Sequence, residues 1–249
     1  MVEDPVGILQ YCFFATPMPF FPFFSASSGF AASISVPVAS RPWLAHSNLL
    51  TIHHPMSLVQ VSRAILAGIL ISIGGTAYLH VGGIPGAVLF AFGLLSIVHF
   101  RLPLFTGQAG FFLVTSLNEW RDLAIVLLFN VIGCLAVGCF LPEAYDGSDI
   151  IFSRIETGYA GCFVLSILCG IIMTVVVQAW RDGNSLLIPW GVPCFIMCGF
   201  CHSIADAFYM AAAIKFDISL VVDYLPYWFT IVLGNFVGCN IPRYLSYRI

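Results

Sequence analysis

Between residues 64 and 241 the chain passes through six apolar stretches, at about 64–81, 86–117, 123–141, 159–180, 186–214 and 225–241. A helix needs roughly 20 apolar residues to cross bilayer hydrocarbon, where backbone polar groups find no partner outside the protein. The pattern predicts an all-α membrane protein with six transmembrane helices. Composition excludes a soluble domain: 60% of residues are hydrophobic, 8% are charged and mean hydropathy is +0.98, whereas soluble domains carry roughly 25% charged residues. The net charge of −3 is thinly spread without a basic stripe, so nucleic acid is not an expected partner. The nine cysteines sit mostly in apolar runs, as Cys134, Cys139, Cys162, Cys169 and Cys239 do. They read as reduced core residues and not as a disulfide framework.

Residues 1–62 carry Glu3 and Asp4 where a signal peptide would be basic, and Pro17, Pro19 and Pro22 interrupt any helix. They read as a poorly structured or interfacial segment ahead of a channel domain at 63–249. His46, His53 and His54 in that approach read as solvated. Basic residues in short loops set the orientation. With the N-terminus inside, Arg41, Arg63, Arg121, Arg181, Arg243 and Arg248 fall on the cytoplasmic side, and Arg154 and Lys215 outside. The positive-inside rule then places both termini in the cytoplasm, most simply at the plasma membrane.

The second stretch is interrupted at residues 101–107 and the fifth by Pro189 and Pro193, each in the middle of a triplet of spans. The third holds Asn130-Val-Ile-Gly-Cys134 and the sixth Asn235-Phe-Val-Gly-Cys239, so Asn-x-x-Gly-Cys recurs at matching places. A three-plus-three repeat whose halves enter from opposite sides puts a pathway near the midplane, between discontinuous helices. Asn130 and Asn235 are suited to bonding backbone groups freed by the breaks. Gly68, Gly74 and Gly75 read as close-packing positions. The fifth stretch also carries His202, Ser203 and Asp206. Residues four apart share a helix face, and at membrane depth such groups face a bundle interior or a watery path.

Leu104-Phe-Thr-Gly107, Gly199-Phe-Cys-His-Ser-Ile-Ala-Asp206 and Gly234-Asn-Phe-Val-Gly238 resemble motifs of the formate/nitrite transporter family, over about residues 63–243. Two shorter stretches, Ala67 to Gly75 and Ile167-Leu-Cys-Gly170, match in the same order. The resemblance implies an aquaporin-like protomer with helices 2 and 5 broken and a homo-pentamer with one pore per protomer. It also implies small monovalent weak-acid anions as substrates: formate, nitrite, hydrosulfide, lactate or acetate. It sets Thr106 against His202 across the pore and makes Leu104, Phe105 and Phe200 the constriction. Half-helix N-termini can draw an anion to the midplane. A proton from His202 would then make the crossing species nearly neutral. The chain departs from the family at Cys201, where the family has Glu, at Asp206, where it has Asn, and at Pro103, where it tends to be acidic. Two accounts of Asp206 remain open: a charge pair with Arg101, or a direct bond to His202.

Two other readings compete. Cys198-Gly-Phe-Cys201-His202 has the spacing of a covalent haem site, and Cys194, Cys198 and Cys201 could share a helical face. A neutral-solute pore of the water or urea type would need no histidine. No Walker loop, G-x-S-x-G elbow or HExxH pair occurs, so an enzyme has no positive support and no cofactor is expected. His80 and His99 read as loop and helix-interior residues.

Overall fold

A computed structural model describes residues 57–111 and 117–245, and among these every regular element is a helix. The elements are α1 (Leu58–Val81), α2 (Gly83–His99), α3 (Phe105–Ala109), α4 (Leu117–Gly138), α5 (Ser148–Arg181), α6 (Leu187–Met197), α7 (Ser203–Ala213) and α8 (Ile218–Leu245). Four of them, α1, α4, α5 and α8, are long and apolar enough to cross a membrane, while α2 and α6 are shorter apolar helices. Large apolar side chains such as Phe92, Phe229 and Leu233 stay exposed on the outer faces. Most of the expected interfacial segment, with Arg41, His46, His53 and His54, lies outside the described residues, as does Arg248.

Helix starts lie upstream of the apolar stretches for local reasons. At α1, Ser57 Oγ accepts from Gln60 N–H while Gln60 Oε1 accepts from Ser57 N–H, a reciprocal capping box that starts the helix six residues before position 64. Hydropathy misses the first turns of α4, which carry Glu119, Arg121 and Asp122, and the first ten residues of α5, which carry Asp149, Arg154 and Glu156. The expected start of the fourth stretch, residue 159, is the point just after Gly158, where φ of 75° kinks α5.

The two breaks are also placed by backbone conformation and not by proline. Pro189 and Pro193 are accommodated within α6, and the helix ends at Met197. Beyond it Gly199 takes φ 68°, and Phe200 N–H donates to Phe195 O. At the first break Arg101 takes φ 53°, and Leu102 N–H donates to Ile97 O. Both are left-handed helix stops closed by a six-to-one bond. A non-glycine residue in that region costs roughly 1–2 kcal/mol, a cost the first half bears and the second avoids.

The halves match bond for bond. Asn130 Oδ1 accepts from Phe105 N–H, and its Nδ2 donates to Ala64 O and Pro103 O. Asn235 Oδ1 accepts from Ser203 N–H, and its Nδ2 donates to Ser166 O and Cys201 O. Cys134 Sγ donates to Ile204 O in α7, and Cys239 Sγ donates to Thr106 O in α3. Gly133 lies against Ile65 O and Gly238 against Ile167 O, so closely that a Cβ at either would strike that carbonyl. Each residue of Asn-x-x-Gly-Cys thus does one job twice: the amide holds its own half's break, the glycine admits the neighbouring helix, and the thiol reaches the other half's short helix.

Candidate functional site

The short helices α3 and α7 bring Thr106 and His202 together. His202 is the N-cap of α7, and its Nδ1 accepts from Ala205 N–H at 3.1 Å. That bond uses the Nδ1 lone pair and leaves the ring proton on Nε2. Nε2 lies 3.0 Å from Thr106 Oγ1 and donates to it, so the threonine hydroxyl retains its own proton to offer elsewhere. Both residues are buried. Phe195 of α6 stacks on the imidazole, with ring centres 5.6 Å apart and planes inclined by 21°. Leu104 and Phe105 are buried at the start of α3, and Phe200 is half-buried at the second break.

Ser203 is buried, its carbonyl accepts from Trp228 Nε1 at 2.8 Å, and its Oγ has no partner among the described residues. Asp206 is 1% exposed, and both sequence accounts of it are corrected. Its partners are Arg154, with Nη2 at 3.7 Å from Oδ1, and Tyr224, whose hydroxyl donates to Oδ2 at 3.2 Å. His202 is already committed to Thr106 and Ala205. Arg101 is an exposed residue at the other break, and its carbonyl accepts from Arg63. Arg154 reaches Asp206 because α5 extends beyond Gly158, so the one arginine assigned to an outer loop sits in a helix with its side chain only 12% exposed. There it also donates to Gly199 O at 2.6 Å and Phe200 O at 3.4 Å. Arg63 does the same for the first break, donating to Phe100 O at 2.7 Å and Arg101 O at 3.0 Å.

A cavity of roughly 230 Å³ opens at the second break, lined among others by Arg154, Phe195, Phe200, His202, Asp206 and Tyr209. Thr106, Ser203, Leu104 and Phe105 are not among its lining residues. The haem reading does not fit. Cys198 is exposed at the end of α6, whereas Cys201 is wholly buried, and both His202 nitrogens are engaged. The left-handed turn at Gly199 also takes Cys201 off the helical face shared by Cys194 and Cys198. Sequence reasoning missed Arg154, Phe195, Tyr224 and Trp228. Only Arg154 left a signal, since a buried Asp206 requires a cation.

Residues 52–247 match the family model described as Formate/nitrite transporter. Formate-nitrite transporters of Plasmodium malariae and Plasmodium ovale are 24% and 23% identical to this chain, over 78% of it and 78% and 79% of their own lengths. Among solved structures, a pentameric formate channel with formate bound superposes with a TM-score of 0.64 at 19% identity, covering 76% of this chain and 95% of that one. An FNT family ion channel gives 0.62 at 17% identity, covering 76% and 89%. These structural likenesses establish a shared fold.

Proposed function

Because the chain belongs to the formate/nitrite transporter family, we propose that this multi-pass membrane protein is a channel or transporter for small monovalent weak-acid anions such as formate, nitrite or hydrosulfide, with proton-linked permeation past His202. The observation that carries the reading is the Thr106–His202 bond, a polar contact between the tips of two interrupted helices inside an otherwise apolar core. In this reading α2 with α3 and α6 with α7 each count as one broken span. Residues 63–249 then form a six-span, aquaporin-like channel domain with inverted halves. Both termini face the cytoplasm at the plasma membrane, and the protomers assemble as a homo-pentamer, as in the related formate channel.

The geometry refines the proton step. A second proton on His202 would need Nδ1, which is held by Ala205 N–H at the positive end of α7. The imidazole therefore works as a neutral donor: Nε2–H supports Thr106, and the Thr106 hydroxyl donates to the passing substrate. That hydrogen bond offsets part of the cost of desolvating the substrate, and a proton the substrate takes up from solution removes its charge between Leu104, Phe105 and Phe200, where burying a bare ion would cost several kcal/mol or more. The backbone N–H groups of Phe105 and Ser203 are spent on Asn130 and Asn235. In this reading the anion is attracted by the helix field and not by these two donors.

Proteoliposome uptake of formate, nitrite, hydrosulfide, lactate and acetate across pH tests the reading. Thr106→Val and His202→Ala should each reduce uptake by about tenfold or more, the worth of one hydrogen bond to a charged group. Uptake by His202→Ala at wild-type rate and with wild-type pH dependence would refute it. Flux of water or urea alone, independent of pH, would favour a neutral-solute pore.

A further inference from the structure

Most cysteines among the described residues are buried, and the thiols of Cys134, Cys162 and Cys239 are tied to backbone carbonyls. Cys194 and Cys198 are the two exposed ones. They stand one turn apart on α6, where Cys198 N–H donates to Cys194 O at 3.1 Å, so the turn between them is regular. The exposed Trp190 precedes them by one more turn on the same face. Val192 and Phe195 are buried on the inner side of the helix, and Phe195 stacks on His202. The two thiols therefore lie away from the Thr106–His202 contact, and neither lines the cavity at the second break.

The spacing of the pair selects its chemistry. Helix residues four apart have Cβ atoms roughly 5–6 Å apart, whereas a disulfide needs about 3.5–4.5 Å. Direct oxidation would distort the turn, but one large atom set between the two sulfurs spans the gap. Zinc prefers a tetrahedral set of four ligands, and α6 supplies no His, Asp or Glu to complete one. A bare soft cation would carry charge onto an apolar face, which is costly. A trivalent arsenical avoids both obstacles, because it takes two thiols and leaves an uncharged product. We propose that Cys194 and Cys198 form a dithiol site for trivalent organic arsenicals, reached from the apolar surface of the protein. Two As–S bonds form, the As=O bond and two S–H bonds break, and the oxygen leaves as water with both protons. Arsenic stays trivalent, so the step needs no oxidant or reductant. The site does not depend on which substrate the channel carries.

Phenylarsine oxide is the probe, added to the full-length protein in proteoliposomes, with intact mass and maleimide labelling as readouts. Each chain should gain one phenylarsenic group and lose the maleimide reactivity of both exposed thiols. An excess of 2,3-dimercaptopropanol should reverse both changes. Cys194→Ala and Cys198→Ala, at exposed positions that leave the core intact, should each need about 100-fold more arsenical for half-occupancy, because the second As–S bond is no longer intramolecular. Cys139→Ala, which removes a half-buried thiol outside the pair, should bind as the wild type does. No mass gain by the wild type overturns the assignment, and so does wild-type affinity in both single variants. Reaction in detergent-dispersed protomers but not in proteoliposomes would show that a neighbouring copy covers this face, and would also overturn it. Vesicles that bind the arsenical but take up no weak acid at any pH would support the dithiol site and count against the channel reading alone.

Discussion

The two breaks are one hydrogen-bonded scaffold carrying two electrostatic designs. Each has a left-handed stop, an asparagine clamp and an arginine on its last carbonyls. At the first break Arg63 is solvent-accessible, Arg101 is exposed and Gln108 is neutral. At the second, Arg154 is 12% exposed and paired with the buried Asp206, with Tyr224 on the remaining oxygen. The shared scaffold is backbone chemistry, which any broken helix requires. The charges are free to differ, so function has its room there.

The comparison can be broken most severely at the second arginine. Arg154→Gln leaves a buried carboxylate without its counter-charge and should destabilise the purified protein by roughly 3–5 kcal/mol, against about 1 kcal/mol for Arg63→Gln at the exposed break. Thermal unfolding followed by tryptophan fluorescence reads both, and similar shifts for the two would erase the distinction. Adding Asp206→Asn to Arg154→Gln should recover much of the loss. If the scaffolds are equivalent, Asn130→Ala and Asn235→Ala should cost alike, about 2–4 kcal/mol each for the backbone groups left unpaired. A large difference in denaturant midpoint would show that one half carries the fold. The smallest effect has opposite signs at the two stops: Arg101→Gly should stabilise by about 1 kcal/mol and Gly199→Ala should destabilise by a similar amount.

What the chain's letters made legible follows from the same division. Asn-x-x-Gly-Cys could be recognised because close backbone contact and clamping of freed amides each admit few residue types, here Gly133 and Gly238, Asn130 and Asn235. His202 and Asp206 stood out as polar groups in an apolar run. The partner of Asp206 did not, because Arg154 lies in ten helical residues whose charges read as a loop, and pairing depends on how far α5 extends past Gly158. The second break was legible as an interruption but ascribed to Pro189 and Pro193. Pro189 lies in the first turn of α6, Pro193 sits inside the helix without ending it, and the feature that stops the helix is the backbone sign at Gly199. Phe195, Tyr224 and Trp228 are aromatic residues among many, and only packing distinguishes them.

The crossed thiol contacts bear on how the protein is made. The Thr106 carbonyl in α3 is met by Cys239 and the Ala109 carbonyl by Asn240, residues synthesised 133 and 131 positions later. The first three long segments can leave the ribosome and enter the bilayer, but α3 has no such partners until α8 arrives. Pore assembly is therefore a closing event of biogenesis, and a nascent chain halted before α8 would hold its threonine helix unfastened, exposed to quality control at the membrane.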